Sequence, residues 1–587
     1  MEIACIIRRE NVMKKASEPS QLSASDDVEW WIQHWKAQGE PWRMEPEIDI
    51  KRQDELQTLR ATFIDISHNV YPFHNFPLSR ADIEWLLSTH ESEGQRGPVL
   101  YDDERQWRRK GIDISGANLA KVDLSNLPLA RLKGVSIPLG TTVSTYPVVS
   151  INLERANLTN ARLEGADLAW GSLRKANLTG AYLEDANLTE AHLEDADCSD
   201  SHFEEANLCN THLERASLTR AHAEEASFRD AHLEHANCGE AHFAGANFVG
   251  AYLTHVRFTK AHLESSDFRR ASTQQTNADF RGVYLEGANL EEASLEKADF
   301  RDAHLEGCSF RESHLEDADL RRAWLAGADL RAAHLEGTNL KEAHLEGKRL
   351  RSSELARIRE WSLNFPEELG AADLREALFS SATRLKDAVL GDIVRGFILV
   401  ADISWSDANL NVIDWDAIHQ IGDERRARLY RGKNKLERLE EYRAAVRANR
   451  QLAVTLRDQG LDEVAARFSY NAQRLQQRVF HLQRNFGRYL LSILLSLLVG
   501  YGYKPMRSFI AYLTVILLFM LIYHTISLHL SWRDAFIISA TAFGRGFAPG
   551  SFTPADPTSL ASVFEAFTGL IIEATFIAAL TQRFFGK

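Results

Sequence analysis

A large apolar residue, usually Leu or Phe, returns at every fifth position of this chain between residues 153 and 268, 24 positions in all. Cys198, Ala223 and Cys238 are the smaller substitutes. Ala stands two residues before it in most units, as at Ala156, Ala166, Ala176, Ala186 and Ala196. The beat resumes between 280 and 350 for 15 more positions, in a new register because the segment 271–279 carries two extra residues. A strict five fits neither the 3.6 period of a helix nor the alternation of a strand. A fixed short period instead describes an array in which each unit buries its apolar residue against its neighbours. Leu153, Leu158, Leu163, Leu208, Leu213, Leu285, Leu290 and Leu305 are thereby expected in the core.

The units Ala-Asn-Leu-Thr, Ala-His-Leu-Glu and Ala-Asp-Phe-Arg resemble the pentapeptide-repeat family. The resemblance covers about a third of the chain. It implies a right-handed β-helix of square cross-section with four units per turn, the Leu or Phe and the Ala two before it both pointing inward. Turns would then lie about 4.8 Å apart, with backbone groups paired between them. The expected fold class is mainly β: a right-handed quadrilateral pentapeptide β-helix, followed by a helical hairpin and two transmembrane α-helices.

A second period rides on the first. His recurs every ten residues at 192, 202, 212, 222, 232, 242 and 262, then at 304, 314, 334 and 344, with Tyr252 and Trp324 in the same slot. Glu154, Glu164, Glu184, Glu194, Glu204, Glu214, Glu224 and Glu234 keep the same beat. With twenty residues per turn these rings are predicted to stack as ladders on two opposite faces. Such ladders suit a metal or pH-sensing strip, or simple stacking between turns. No compact ligand cluster stands apart from the beat, so no metal or cofactor site is assigned.

Around the array the chain divides by composition. Residues 1–25 are expected to be flexible, and lack an apolar run followed by a small-residue cleavage site. Residues 26–110 form an N-terminal cap region. Trp30, Trp31, Trp35 and Trp42 are expected to pack on the end of the array, and Ser79 to cap a helix carrying Asp82 and Glu84. First repeats at Leu119, Leu124 and Leu129 and a loop rich in Gly, Pro and Thr occupy 111–150; the main array is 151–350. Degenerate repeats and a C-terminal cap are assigned to 351–422, where weaker units return at Leu374, Phe379, Trp405, Leu410 and Trp415 between helix-like insertions. In 423–487 apolar residues step 3-4-3-4 on both sides of Gly460, which predicts a helical hairpin with Asn449 in its seam.

Charge follows these boundaries. The formal net charge is −14, and residues 151–350 hold 36 acids against 21 bases. The excess lies in 151–250, with 18 against 7, whereas 251–350 has 18 against 14. The hairpin stretch 423–488 is basic, with 16 Lys and Arg against 8 acids, as suits an acidic membrane leaflet. Five Cys are present, three of them (Cys198, Cys238, Cys308) at inward repeat positions, so no disulfide framework is implied.

Residues 488–507 are predicted to be interfacial and 508–587 to form a two-helix membrane domain. The segment 508–530 has no Asp, Glu, Lys or Arg, and 560–580 is interrupted only by Glu565 and Glu573. Lys504 and Arg507 precede the first span, and Arg583 and Lys587 follow the second. Positive flanks place the array and the C-terminus in the cytoplasm, on an inner membrane crossed more than once. Two spans around a Gly-rich loop resemble the two-helix pore-loop ion-channel fold. The match lies in Asp534-Ala-Phe-Ile-Ile-Ser, similar to a pore helix, and in the inner-helix-like Glu565 to Gly569. Where a potassium filter reads Thr-Val-Gly-Tyr-Gly, this chain has Ala542-Phe543-Gly544-Arg545-Gly546. A ring of Arg545 opposes cation entry. Gly544, Arg545, Gly546, Glu565, Gly569 and Glu573 are the candidate pore residues, since carboxylates in a span face protein or water.

No Walker loop, nucleophile elbow, zinc-helix motif or dinucleotide fingerprint occurs, so no catalytic residue is assigned and no enzyme is expected. The favoured reading is a bacterial, membrane-anchored cytoplasmic scaffold with a degenerate channel-like membrane domain. Its expected partners are membrane lipid, further copies of itself and an unknown protein on the repeat surface. An oligomeric ion channel or sensor gated by the repeats is the alternative. A DNA-mimicking, topoisomerase-protecting role fits less well, because the second half of the array is near neutral, and nucleic acid is not an expected partner.

Overall fold

The computed structural model describes residues 28–62, 71–106, 108–136, 148–392, 396–405, 408–416, 418–429, 433–498, 505–526, 530–545 and 557–585. The chain forms two compact units, Met1–His262 and Leu263–Lys587.

In the first unit a coil is built from isolated parallel bridges between residues twenty apart. Asn152 bridges Ser172, Asn157 bridges Asn177, Arg162 bridges Tyr182 and Asp167 bridges Asn187, one bridge per unit and four per turn. Each rung pairs in both directions: the Leu158 N–H donates to the Asn177 carbonyl at 2.6 Å, and the Asn177 N–H donates to the Ala156 carbonyl at 2.9 Å. Four straight edges per turn require four corners. The corner residue adopts φ between +52° and +59° at Arg155, Asn160, Asp185 and Glu190. Asx contacts help to hold it: the Asn157 side-chain oxygen accepts from the Thr159 backbone N–H at 3.2 Å. With backbone polarity satisfied between turns, the axis is left to apolar side chains. Leu153, Leu158, Leu163, Leu208 and Leu213 are all at most 2% exposed. Phe228 stacks on Phe248, one turn on, with ring centres 4.8 Å apart.

The first turn starts earlier than the main array. Asp113 bridges Lys133, and Asn118, Asp123 and Pro128 bridge Asn152, Asn157 and Arg162. The insertion between them leaves through an antiparallel pair, Val135–Ser136 with Val149–Ser150. Its tip, 137–147, and the flexible segment expected at 1–25 lie outside the described residues.

Among the described residues three α-helices precede the coil: α1 (Val28–Ala37), α2 (Ile50–Arg60) and α3 (Arg80–Ser88). The end of the coil is closed by α3. Leu78 N–H donates to the Asn118 carbonyl, Arg80 reaches the carbonyls of Asp123 and Ser125, and Ile83, Leu86 and Leu87 are buried. Ser79 caps α3 in a capping box with Asp82. Glu84, two positions further on, is buried and accepts from Met44 N–H, Glu45 N–H and Arg80. The Trp-rich α1 does a different job: Trp35 is buried beneath Arg43, whose guanidinium lies 3.6 Å from the ring centre, and Trp30 stays 52% exposed.

In the second unit the coil has the same bridges with one offset. Asp267 pairs Asn289 and Ser272 pairs Ser294, after which Asp279 returns to Asp299. The two extra residues of 271–279 are absorbed within that turn. Leu285, Leu290 and Leu305 are fully buried. After Leu345 the chain makes an excursion, the pair Lys348–Arg349 with Glu368–Leu369 flanking α4 (Ser352–Trp361). It then resumes the coil, with Asp329 bridging Asp373 and Asp373 bridging Leu399. The end is closed by α5 (Gly422–Arg428) and a hairpin of α6 (Lys435–Asp458) and α7 (Asp462–Leu482). Phe468 of α7 meets Trp415 edge to face, Arg447 of α6 pairs with Asp402, and Gln459 binds the backbone of Ala408 and Leu410. Asn449 is buried in the seam and donates to the Ala445 carbonyl of its own helix. Helices α8 (Phe486–Leu498), α9 (Pro505–Ile526), α10 (Trp532–Arg545) and α11 (Pro557–Phe585) complete the unit.

Two outcomes test this account. Leu208→Ala removes a fully buried side chain from a packed axis and is expected to cost about 2–5 kcal/mol. Glu225→Gln on the exposed corner should stay within about 0.5 kcal/mol. Equal losses of melting temperature in the two would refute the register. The second concerns Asp423 in α5, whose carboxyl accepts the Val400 N–H at 2.6 Å. Burial pushes it up to about 6, against that hydrogen bond and Arg375. A raised carboxyl contributes stability below its unfolded pKa and loses it as pH rises through the folded value. Asp423→Asn should therefore raise the melting temperature at pH 8 and leave it unchanged near pH 4.

Candidate functional site

Two places concentrate unusual chemistry: the outer ladders of the coil, and the α9–α11 assembly. Position two of each unit points outward beside the strand, so residues twenty apart stack one above the other. In the first unit His192 stacks on His212 at 4.7 Å, and His212 on His232 at 4.8 Å. On a second ladder Tyr182 stacks on His202, His202 on His222 and His222 on His242, at 4.7–5.1 Å. In the second unit Tyr284 stacks on His304, His314 on His334, and Trp324 on His344.

Where a glutamate follows the ring by two residues, it lies beside it. His202 Nδ1 is 3.1 Å from Glu204, and His212 Nδ1 is 3.3 Å from Glu214. His222 and His242 flank the Glu224 carboxylate at 3.6 and 3.9 Å. Several His-Glu-His groups hold their ligand atoms within 4.8 Å of one another, among them His222, Glu224 and His242. Stacking and hydrogen bonding already account for their placement. Electrostatics differ along the ladder. Burial first, and then the neighbouring Glu164 and Glu204, push the Glu184 carboxyl up to about 7. Arg174 and His192, with backbone help, overcome burial at Glu194 and hold it down at about 2.

In the C-terminal helices α10 packs against both α9 and α11. Ser531 caps α10 by accepting from the Asp534 N–H, and Pro557 opens α11, where its missing N–H costs nothing. At the meeting point Glu565 of α11 is fully buried. Tyr523 of α9 donates its hydroxyl to one carboxylate oxygen at 2.8 Å, and Ser539 of α10 binds the other. Ser539 also lies 2.9 Å from the Ile516 carbonyl. One turn on, Gly569 is buried against α10: a Cβ there would stand 2.8 Å from the Phe543 carbonyl oxygen. Ile516, Phe543 and Ile572 form the apolar centre.

The candidate pore residues thus separate. Glu565 and Gly569 lie inside this three-helix contact, and Glu573 lies on the exposed surface of α11. Gly544 and Arg545 end α10, and Gly546 lies outside the described residues. Sequence reasoning missed Tyr523 and Ser539 as partners of Glu565; the only signal was a polar hydroxyl side chain within each apolar stretch. Among the described residues one helix, Phe509–Ile526, is long and apolar enough to cross a membrane, with mean hydropathy 2.2. Exposed apolar side chains also line α8 (Phe486, Leu490, Leu491, Leu494) and α11 (Phe564, Phe567, Leu570).

Comparison with known proteins bears on the coil. A family model described as pentapeptide repeats matches in eight copies, across 151–195, 196–234, 236–272, 276–312 and 313–351. The pentapeptide-repeat protein Rfr23 from the cyanobacterium Cyanothece 51142 is 31% identical over 23% of this chain and 85% of its own, with a TM-score of 0.12. This chain is a pentapeptide-repeat protein. HetL from the cyanobacterium Nostoc sp. Strain PCC 7120, a pentapeptide-repeat protein involved in heterocyst differentiation regulation, is 27% identical over 40% of this chain and 91% of its own, with a TM-score of 0.18. Full-length QnrB1, a plasmid-mediated fluoroquinolone resistance protein, is 16% identical over 45% and 93%, with a TM-score of 0.15. The comparison with curated proteins found no match.

The three-helix contact yields a prediction. Tyr523→Phe leaves one carboxylate oxygen of Glu565 without its donor and should lower stability in detergent by about 1 kcal/mol. Gly569→Ala drives a methyl into the Phe543 backbone and should cost about 1–3 kcal/mol. Thermal unfolding of the two variants and the double variant checks this. Wild-type stability in Gly569→Ala would show that α10 and α11 do not meet there.

Proposed function

We propose that this pentapeptide-repeat protein is a membrane-anchored cytoplasmic scaffold. The repeat coil, right-handed as its family resemblance implies, is its interaction surface, and α9 and α11 are its two membrane spans. The observation that carries this reading is the division of surface chemistry. The coil buries its apolar residues and turns charged, stacked ladders outward, whereas α8, α9 and α11 leave large apolar side chains uncovered. An apolar surface of that extent calls for lipid or for other copies of the chain. The basic hairpin beside α8 suits an acidic leaflet. Membrane lipid, a homo-oligomer through the membrane helices and a protein partner on the coil are the implied partners. The family match is to repeats.

A second reading, an oligomeric channel or sensor, draws on one observation: the short α10 packs between two long helices in the manner of a pore helix. In that reading Arg545 and Glu573 face an axis shared by several copies.

One experiment addresses the anchor. Cysteines introduced at Ser551 and at Lys587 in a Cys-free background are expected to differ, an impermeant thiol reagent on intact cells labelling the first and sparing the second. The reverse pattern ends this topology. A second addresses conduction: bilayer recording of wild type, Arg545→Tyr and Glu573→Gln at matched density. The scaffold reading expects silence from all three. Cation current that rises in Arg545→Tyr and falls in Glu573→Gln would replace it with the channel.

A further inference from the structure

The second unit carries its own example of how the ladder is read. Its aromatic-Leu-Glu units, Tyr284 to Glu286 and His304 to Glu306, place each glutamate beside a ring and beside the glutamate of the next turn. The α4 excursion lies across them. Arg357 binds Glu264 at 3.1 Å and also Glu286, with its guanidinium 4.2 Å from the Tyr284 ring centre. Lys348 binds Glu306 at 2.5 Å and lies 5.0 Å from the Trp324 ring centre. Phe365 sits on corner glycines: a Cβ at Gly287 or Gly307 would stand 2.9 or 2.8 Å from its ring. The arm therefore supplies cations to buried carboxylates, stacks those cations on rings, and adds an apolar foot.

The first unit repeats the motif, and among the described residues the Tyr101 hydroxyl bonds its near corner, Asp185. Tyr182 to Glu184 and His202 to Glu204 follow the same pattern, and His222 and Glu224 keep the ring and the acid around Ala223. At its N-terminal end the same chemistry is already satisfied. Arg162 binds Glu164 at 2.6 Å and lies 5.5 Å from the Tyr182 ring centre. Beyond it, the segments 181–185, 201–205 and 221–225 contain no Lys or Arg. The inner oxygens of Glu184, Glu204 and Glu224 are shut off from solvent, as are those of Glu286 and Glu306 beneath the arm and of Glu214 and Glu234 on the other ladder. The corners differ instructively. Where the second unit has Gly287 and Gly307, the first has Asp185, Glu205 and Glu225. The apolar foot has no seat there, and a second row of acid takes its place.

We propose that the ladder Glu184, Glu204 and Glu224, with the rings of Tyr182, His202 and His222 and the corner acids beside them, is a docking strip for an arginine- and lysine-bearing segment of a partner protein. This deepens the scaffold reading and rests on it for the partner's setting. The occupant is a short basic segment that lays its cations along successive turns, as Arg357 and Lys348 do. Guanidinium suits the strip best, since it stacks on a ring and hydrogen-bonds a carboxylate at once.

The probe is a synthetic peptide of this chain's own residues 348–361, which keeps Lys348 and Arg357 and omits Phe365. Its binding to the full-length protein in lipid nanodiscs is measured at low ionic strength. The triple variant Glu184→Gln, Glu204→Gln, Glu224→Gln is expected to weaken it at least tenfold. So is a peptide with Lys348→Gln and Arg357→Gln. Glu214→Gln with Glu234→Gln, on the other ladder, is expected to change it less than twofold. Should the triple variant fold poorly, the exposed corner pair Glu205→Lys and Glu225→Lys serves instead, with the same expected loss. Equal losses from both ladders, or no loss from the triple variant, would overturn the proposal. Loss confined to Glu264→Gln and Glu286→Gln would overturn it too, by assigning the peptide to the arm's own seat. Vesicle flotation of the same variants separates the two readings. Failure to float with peptide binding intact removes the membrane anchor and leaves the strip, and the opposite result removes the strip alone.

Discussion

The backbone rung between residues twenty apart is the interaction on which the rest of the coil depends. Each edge of a turn both donates to and accepts from the turn before it and the turn after it, so nearly every polar backbone group along an edge is satisfied by another turn. That requirement sets the period, because a unit of four or six residues would not return the donor to its acceptor. It also sets which side chains go inward. The exposed positions are then released from any structural duty except tolerance of φ near +60° at the corners. Asp, Asn, Glu, Arg and Gly all serve there, and β-branched residues do not. Chemistry can be written on the outer ladders at little cost to the fold.

This release explains what was legible in the sequence. The core leucines follow from the period alone, and so does the turn that absorbs two extra residues near 272–279, because one displaced apolar residue announces a displaced rung. The stacked rings follow from the ten-residue beat once a turn is twenty residues. Contacts made by segments outside the period were not legible. The end of the coil is closed by Ile83, Leu86 and Leu87 of α3, whereas the tryptophans drew attention to α1 and the segment after it. Arg357 and Lys348 read as ordinary charges of an insertion; nothing in their spacing says that the chain folds back across Glu264, Glu286 and Glu306. Tyr523, Ser539 and Glu565 come from three helices and meet only because those helices pack.

The two units manage acidity by different means. Stacked carboxylates stand about 5 Å apart, and at an effective dielectric near 20 such a pair repels by about 3 kcal/mol. The second unit offsets this locally. Asp279, Asp299, Asp319, Asp329 and Asp373 each bind the arginine two residues on, and Arg281 and Arg301 reach within 4 Å of the aspartate of the next turn. Burial pushes the Glu286 carboxyl up to about 8 even with Arg357 beside it, while His304 and Lys348 outweigh burial at Glu306 and hold it below its ordinary value. The first unit has cross-turn pairs such as Arg215 with Asp195 and Arg220 with Asp200, but these sit on other corners. Its Glu184 to Glu224 ladder has imidazoles where the second unit has ammonium and guanidinium. Six of the 18 acids of 151–250 stand on this ladder and its corner, at 184, 185, 204, 205, 224 and 225.

The C-terminal helices meet a different constraint. In the membrane setting proposed for them, an apolar helix would gain nothing by burying leucine against leucine, so association would need close packing and polar contacts. Both kinds are present and adjacent. Gly569 lets α11 approach the Phe543 backbone, and the Glu565 carboxylate binds a hydroxyl from α9 and another from α10. A carboxylate with two hydroxyl partners and full burial ties three helices at one point. Glu573, exposed on the same helix, makes no such tie, so the two glutamates in one apolar stretch carry different physical burdens. Replacing Glu565 would first loosen the packing that positions α10, and any effect on a path for ions would follow from that loosening. Glu573 is the position at which a charge can be removed without disturbing the three-helix contact, which makes it the cleaner probe of whether an aqueous axis exists.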